Sequence, residues 1–176
     1  MTEPAHGPRA NICLIGMAGV GKSYLGRRLA ARLGWTFLDV DELMEKRAGM
    51  GLQQIVAQKG EEGFKALEER TILGLTDLRR HVVATGGSAV YSAKAMGHLR
   101  AIGHVVYLHD QPANIAARVD NLPTRAVIGL GDGSLERLFT ARRPLYEAAA
   151  HLRLDLDGPG GAEATLAALE ALAQNI

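Results

Sequence analysis

Gly16-Met17-Ala18-Gly19-Val20-Gly21-Lys22-Ser23 follows an apolar run, Ile12-Cys13-Leu14-Ile15, and precedes a stretch of helical spacing. Strand, glycine-rich turn and helix in that order make a phosphate-binding P-loop. Gly16, Gly19 and Gly21 let successive backbone N–H groups turn inward towards phosphate oxygens. The helix that begins near Lys22 adds its positive N-terminal end. Lys22 has the reach for the β- and γ-phosphates, and the Ser23 hydroxyl suits a Mg²⁺ ion. A nucleoside triphosphate, ATP, is the expected co-substrate.

Outward from this loop the chain alternates short apolar runs with helical patterns. Strands are read at 10–15, 35–40, 81–85, 104–108 and 152–156. Helices are read at 22–33, 41–48, 52–58, 61–79, 93–101, from 112, 135–150 and 162–173, with Pro144 expected to kink its helix. This alternation predicts an α/β fold: a three-layer α/β/α domain on a five-stranded parallel sheet that carries the P-loop. Ligands bind at the carboxyl ends of such strands. The P-loop, Asp39 and Asp41 after strand two, and Gly86-Gly87 after strand three therefore converge on one cleft.

Asp39 and Asp41 are two apart, so on a strand they point the same way. A phosphoryl acceptor needs a carboxylate to orient its hydroxyl, a role assigned to Asp41. A Mg²⁺ ion needs oxygen ligands, and Asp39 is placed beside it. The alternative for either aspartate is an N-cap of the next helix. Gly86-Gly87 lets a ligand approach the backbone closely. Arg118 and Arg125 flank the start of a polar, Gly-rich stretch, and Arg142-Arg143 precede Pro144-Leu145-Tyr146. Arginine's planar fork suits phosphate and carboxylate. Residues 111–133 are accordingly read as a lid that closes on nucleotide.

A chain of 176 residues with net charge +1 reads as one domain, residues 1–176, with no basic surplus for nucleic acid. The lone Cys13 rules out a disulfide framework and reads as a core residue. Residues 1–9 are expected to be flexible and lack a signal-peptide layout, and no run is long enough to span a membrane. A cytoplasmic monomer is expected. The six histidines are scattered without metal-ligand spacing, and Trp35 and Tyr146 read as packing residues.

Taken together, residues 16–23, Phe37-Leu38-Asp39-Val40-Asp41, Gly60-Glu61-Glu62-Gly63-Phe64-Lys65, Thr85-Gly86-Gly87-Ser88-Ala89 and Arg142-Arg143-Pro144-Leu145-Tyr146 resemble the shikimate kinase family. The resemblance runs from about residue 10 to residue 172. It implies a P-loop kinase fold with a lid, and transfer of the ATP γ-phosphoryl group to a shikimate hydroxyl with Mg²⁺. It implies nucleotide contacts at Gly19, Val20, Gly21, Lys22, Ser23 and Tyr24, with Arg118 on the adenine and Arg125 of the lid on phosphate. It implies acceptor contacts at Asp41, Lys65, Gly86, Gly87, Ser88 and Arg142, the last on the carboxylate. Three positions depart from the family pattern: Lys65 for arginine, Ser88 for a third glycine, and Arg125-Ala126-Val127 for Arg-Pro-Leu. All three lie on the acceptor side or the lid, so a different hydroxy acid or hydroxy amino acid is the competing acceptor. A non-catalytic nucleotide-binding module is the rival of another class.

Overall fold

The computed structural model describes residues 10–118, 127–131 and 133–176. Five strands form one sheet: β1 (Ile12–Ile15), β2 (Thr36–Asp39), β3 (His81–Ala84), β4 (His104–His109) and β5 (Leu152–Asp155). Every pairing is parallel and the order is β2-β3-β1-β4-β5. The central β1 is buried throughout, as an apolar run covered on both faces must be.

Seven α-helices are described: α1 (Lys22–Leu33), α2 (Val40–Ala48), α3 (Leu52–Leu73), α4 (Ala93–Ile102), α5 (Pro112–Arg118), α6 (Leu135–Ala149) and α7 (Gly161–Ala173). α1 packs on α7 and on β3, while α3, α4 and α6 form a second group through α4. Asn11 ties down the entrance to the central strand. Its side chain donates to the carbonyls of Leu78 and Ile102 and accepts from the His81 amide, at 2.7–3.0 Å. Among the described residues, no helix is long and apolar enough to cross a membrane.

The helices expected at 52–58 and 61–79 are two helices that meet at a kink at Gly60, φ 66°, and together make up α3. Three readings change. The second of these helices stops at Leu73 rather than at residue 79, because Gly74 caps it. Leu75 keeps the apolar spacing only by packing into the core from the following turn. α6 runs through Pro144 without interruption. Finally, Asp39 and Asp41 do not share a strand face: Asp39 ends β2 and caps α2, and Asp41 already lies in the first helical turn. Arg125 and Ala126 lie outside the described residues, as do parts of the expected lid and residues 1–9.

Candidate active site

The carboxyl ends of β1, β2 and β3 meet at a cleft of about 820 Å³. Ala18, Gly19, Lys22 and Ser23 line one part, and Asp41, Gly86, Gly87, Ser88 and Arg142 line another. The P-loop leaves β1 at Gly16, whose φ is +145°. A Cβ there would sit 2.5 Å from the Leu108 carbonyl oxygen, so glycine is required by both conformation and space. The Lys22 ammonium folds under the loop and donates to the carbonyls of Gly16 (2.7 Å) and Met17 (2.8 Å). An ammonium has three N–H donors, so one remains for a phosphate oxygen. Burial pulls its pKa down to about 8, with Asp41 and then Asp39 pulling the other way.

Ser23 and Asp39 form a ready-made oxygen pair. The Ser23 hydroxyl donates to Asp39 Oδ2 at 2.6 Å, and Asp39 Oδ1 accepts from the Asp41 amide at 2.9 Å. The helix-capping alternative for Asp39 is therefore realised at the same time as its position beside Ser23. Capping turns the chain sharply after β2 and brings Asp41 round to the cleft.

Gly86 and Gly87 line the part of the cleft that they share with Asp41 and Arg142. An ideal Cβ on Gly86 would lie 2.3 Å from Glu68 Oε1 and 2.8 Å from Asp41 Oδ1. One on Gly87 would lie 2.9 Å from Arg142 Nη1. Two consecutive glycines thus let carboxylates crowd one position and a guanidinium the next. Arg142 is 1 % exposed despite its charge. Its Nε donates to the Tyr91 hydroxyl at 3.1 Å, its Nη2 donates to the Ile128 carbonyl, and its guanidinium lies 5.0 Å from the Tyr91 ring centre.

Several participants escape sequence reasoning. Glu68, on α3, is 1 % exposed and accepts from the Ser88 hydroxyl at 2.5 Å. Burial pushes its carboxyl up to about 7, against the lowering effect of the Ser88 bond. Oε1 has no hydrogen-bond partner among the described residues. Tyr146 is more than a packing residue: its hydroxyl donates to the Gly87 carbonyl at 2.6 Å, and its ring stacks on Tyr107. Ser88, the departure from the expected third glycine, is the signal that could have led to Glu68.

Two expected site residues are already ion-paired. Lys65 does not line the main cleft. Its ammonium pairs with Glu62 at 2.5 Å and lies 5.6 Å from the Tyr91 ring centre, beside a smaller hollow of about 280 Å³. One helical turn separates Lys65 from Glu62, which captures the charge locally. Arg118 does line the cleft, but its guanidinium is paired with the buried Asp110. Away from the cleft, His109, Asp155 and Asp157 come within metal-ligand range of one another. Arg153 donates to both His109 (3.2 Å) and Asp155, which makes this an ion-pair network.

Comparison with known proteins fits this geometry. The family model described as shikimate kinase matches residues 18–173. A shikimate kinase of Symbiobacterium thermophilum is 40% identical over 151 residues, covering 84% of this chain and 87% of the relative. One from Actinobacillus succinogenes is 41% identical over 152 residues, covering 85% and 87%. The solved shikimate kinase from Acinetobacter baumannii in complex with shikimate is 30% identical with a TM-score of 0.82, covering 94% of this chain and 93% of that one.

Proposed function

The chain belongs to the shikimate kinase family, and from that premise we propose that it transfers the γ-phosphoryl group of ATP to a hydroxyl of shikimate. The observation that carries this reading is the pairing at Gly86-Gly87, with the Asp41 carboxylate against one glycine and the Arg142 guanidinium against the next. A small acid held there presents a hydroxyl to Asp41 and its carboxylate to Arg142. Asp41 accepts the hydroxyl's hydrogen bond and aims its oxygen along the line of attack. Lys22 and the N-terminus of α1 stabilise charge on the transferring group. Arg125 completes this from the lid formed by residues 111–133, and Arg118 packs on the adenine. The whole chain acts as one kinase unit, a cytoplasmic monomer.

Ser23 and Asp39 supply hard oxygen donors side by side, a set that fits Mg²⁺. The ion, when bound, neutralises phosphate charge.

A coupled ADP-release assay against a panel of hydroxy acids and hydroxy amino acids tests the acceptor. Turnover is expected with shikimate, and its absence with shikimate while another acid reacts would refute that choice. Asp41→Asn is expected to lower kcat by about 10²- to 10⁴-fold, the usual contribution of a positioned acid or base, with ATP binding preserved. Near-wild-type turnover in that variant would remove Asp41 from the mechanism. The same panel tests a second reading, another small hydroxy acid as acceptor, which Lys65, paired with Glu62 and outside the lining of the main cleft, favours.

A further inference from the structure

Tyr91 ends the short 3₁₀ turn Ala89–Tyr91 that follows Gly86-Gly87-Ser88. Tyr91 is 41% exposed. Two cations nonetheless gather on it, Arg142 at 5.0 Å and Lys65 at 5.6 Å from the ring centre. Its hydroxyl accepts from Arg142 Nε at 3.1 Å. A Cβ on Gly129 would come 3.7 Å from the same hydroxyl, so the 127–131 segment passes directly beside it.

These contacts matter because a guanidinium binds a carboxylate through whichever N–H edge it has to offer. In Arg142 the Nε–H is taken by Tyr91 and an Nη2–H by the Ile128 carbonyl. Nη1 is left beside Gly87, facing the acceptor end of the cleft. The ring attracts the guanidinium and opposes its displacement, and the bond to the hydroxyl opposes rotation of the Nε–H edge. The same ring holds the Lys65 ammonium near the acceptor end although Glu62 pairs with it.

We propose that Tyr91 is a positioning residue for acceptor recognition: it orients Arg142 so that Nη1 meets the acceptor's carboxylate, and it keeps Lys65 as a second positive charge behind that contact. The proposal rests on the acceptor being a carboxylic acid, as the proposed function has it.

The test compares Tyr91→Phe and Tyr91→Leu with wild type in steady-state kinetics, varying shikimate and ATP separately. Tyr91→Phe removes the hydroxyl and keeps the ring; it is expected to raise the acceptor KM about three- to tenfold, tenfold being about 1.4 kcal/mol. Tyr91→Leu also removes the ring and is expected to cost more, so that phenylalanine is a partial rescue. The KM for ATP should stay within about twofold, since Tyr91 does not touch the P-loop side of the cleft. In an Arg142→Lys background, adding Tyr91→Phe should cost almost nothing further, because the oriented group is gone. An unchanged acceptor KM in Tyr91→Phe overturns the proposal. So does a parallel loss in both KM values with a lowered Tm, which marks a structural role only. Should wild type turn over no carboxylic acid in the panel, the proposed function falls and takes this inference with it. Failure of the Tyr91 variants on an active enzyme leaves the proposed function standing.

Discussion

Gly86→Ala isolates the acceptor site from the nucleotide site with a single methyl group. Gly86 has ordinary backbone geometry, since it is absent from the positive-φ glycines, so the added Cβ brings no conformational strain. What it meets is decisive: Glu68 Oε1 at 2.3 Å and Asp41 Oδ1 at 2.8 Å. Carbon and oxygen pack at about 3.5 Å or a little less, so the two carboxylates must retreat by roughly 1 Å and 0.5 Å. Glu68 has little room to do so, being buried and tied to Ser88. Asp41 is thereby pushed roughly 0.5 Å off the line of attack; a misplacement of about 1 Å costs roughly 10²-fold in rate, so about half that shift should cost roughly tenfold. Overpacking should also cost about 1–3 kcal/mol of stability, with Tm falling about 2–4 °C per kcal/mol in a chain of this size. ATP binding should survive, because neither carboxylate belongs to the phosphate cradle. Coupled ADP release gives kcat and the acceptor KM, and titration with a non-hydrolysable ATP analogue gives nucleotide affinity. A kcat within about threefold of wild type, in a protein of normal Tm, would show that Asp41 does not need the position that Gly86 allows.

Three further outcomes follow from the same geometry. Lys22, pulled by burial to about 8, loses its charge as pH rises through that value, so the KM for ATP should climb between about pH 7 and pH 9. Lys22→Arg, always charged, should abolish that dependence whatever it does to rate, and a flat wild-type profile would refute the assignment. Glu68 holds its proton up to about 7 in the fold against an ordinary 4.5, so its contribution to stability is full below about 4.5 and is lost as pH climbs through 7. Glu68→Gln should therefore match wild-type Tm near pH 5 and exceed it near pH 8, whereas parallel curves would exclude the raised carboxyl. Gly97 lies inside α4 with nothing within 4 Å of where an added methyl would sit, so Gly97→Ala should stabilise by about 0.5–1 kcal/mol with unchanged kinetics; a destabilised variant would contradict that open space.

What was legible in the chain was local. The P-loop reads directly because its residues are contiguous and their job is done by backbone N–H groups, one lysine and one helix end. The parallel sheet reads from alternation, because apolar runs of four to six residues have few other ways to be buried. Asp41 and Arg142 were identifiable by position relative to strand ends and through the family resemblance. Local spacing also misled. Asp39 and Asp41 look like neighbours on one strand face, but capping by Asp39 ends the strand between them. Lys65, matched through the family resemblance and not by spacing, pairs with Glu62 one turn earlier, a contact that the resemblance does not reveal.

The sequence alone determined that this protein would carry a phosphate cradle on a parallel α/β sheet, because those features arise from short-range backbone chemistry and burial periodicity. Only the tertiary structure decided the acceptor end. Ser88 meets Glu68 across 20 residues of chain, Tyr91 meets Arg142 across 51, and Tyr146 meets Gly87 across 59. Such contacts depend on the strand order β2-β3-β1-β4-β5 and on how far each helix is offset along the sheet. Hydrogen bonds fail over a fraction of an ångström, and no spacing rule within one segment can locate two segments relative to each other with that precision.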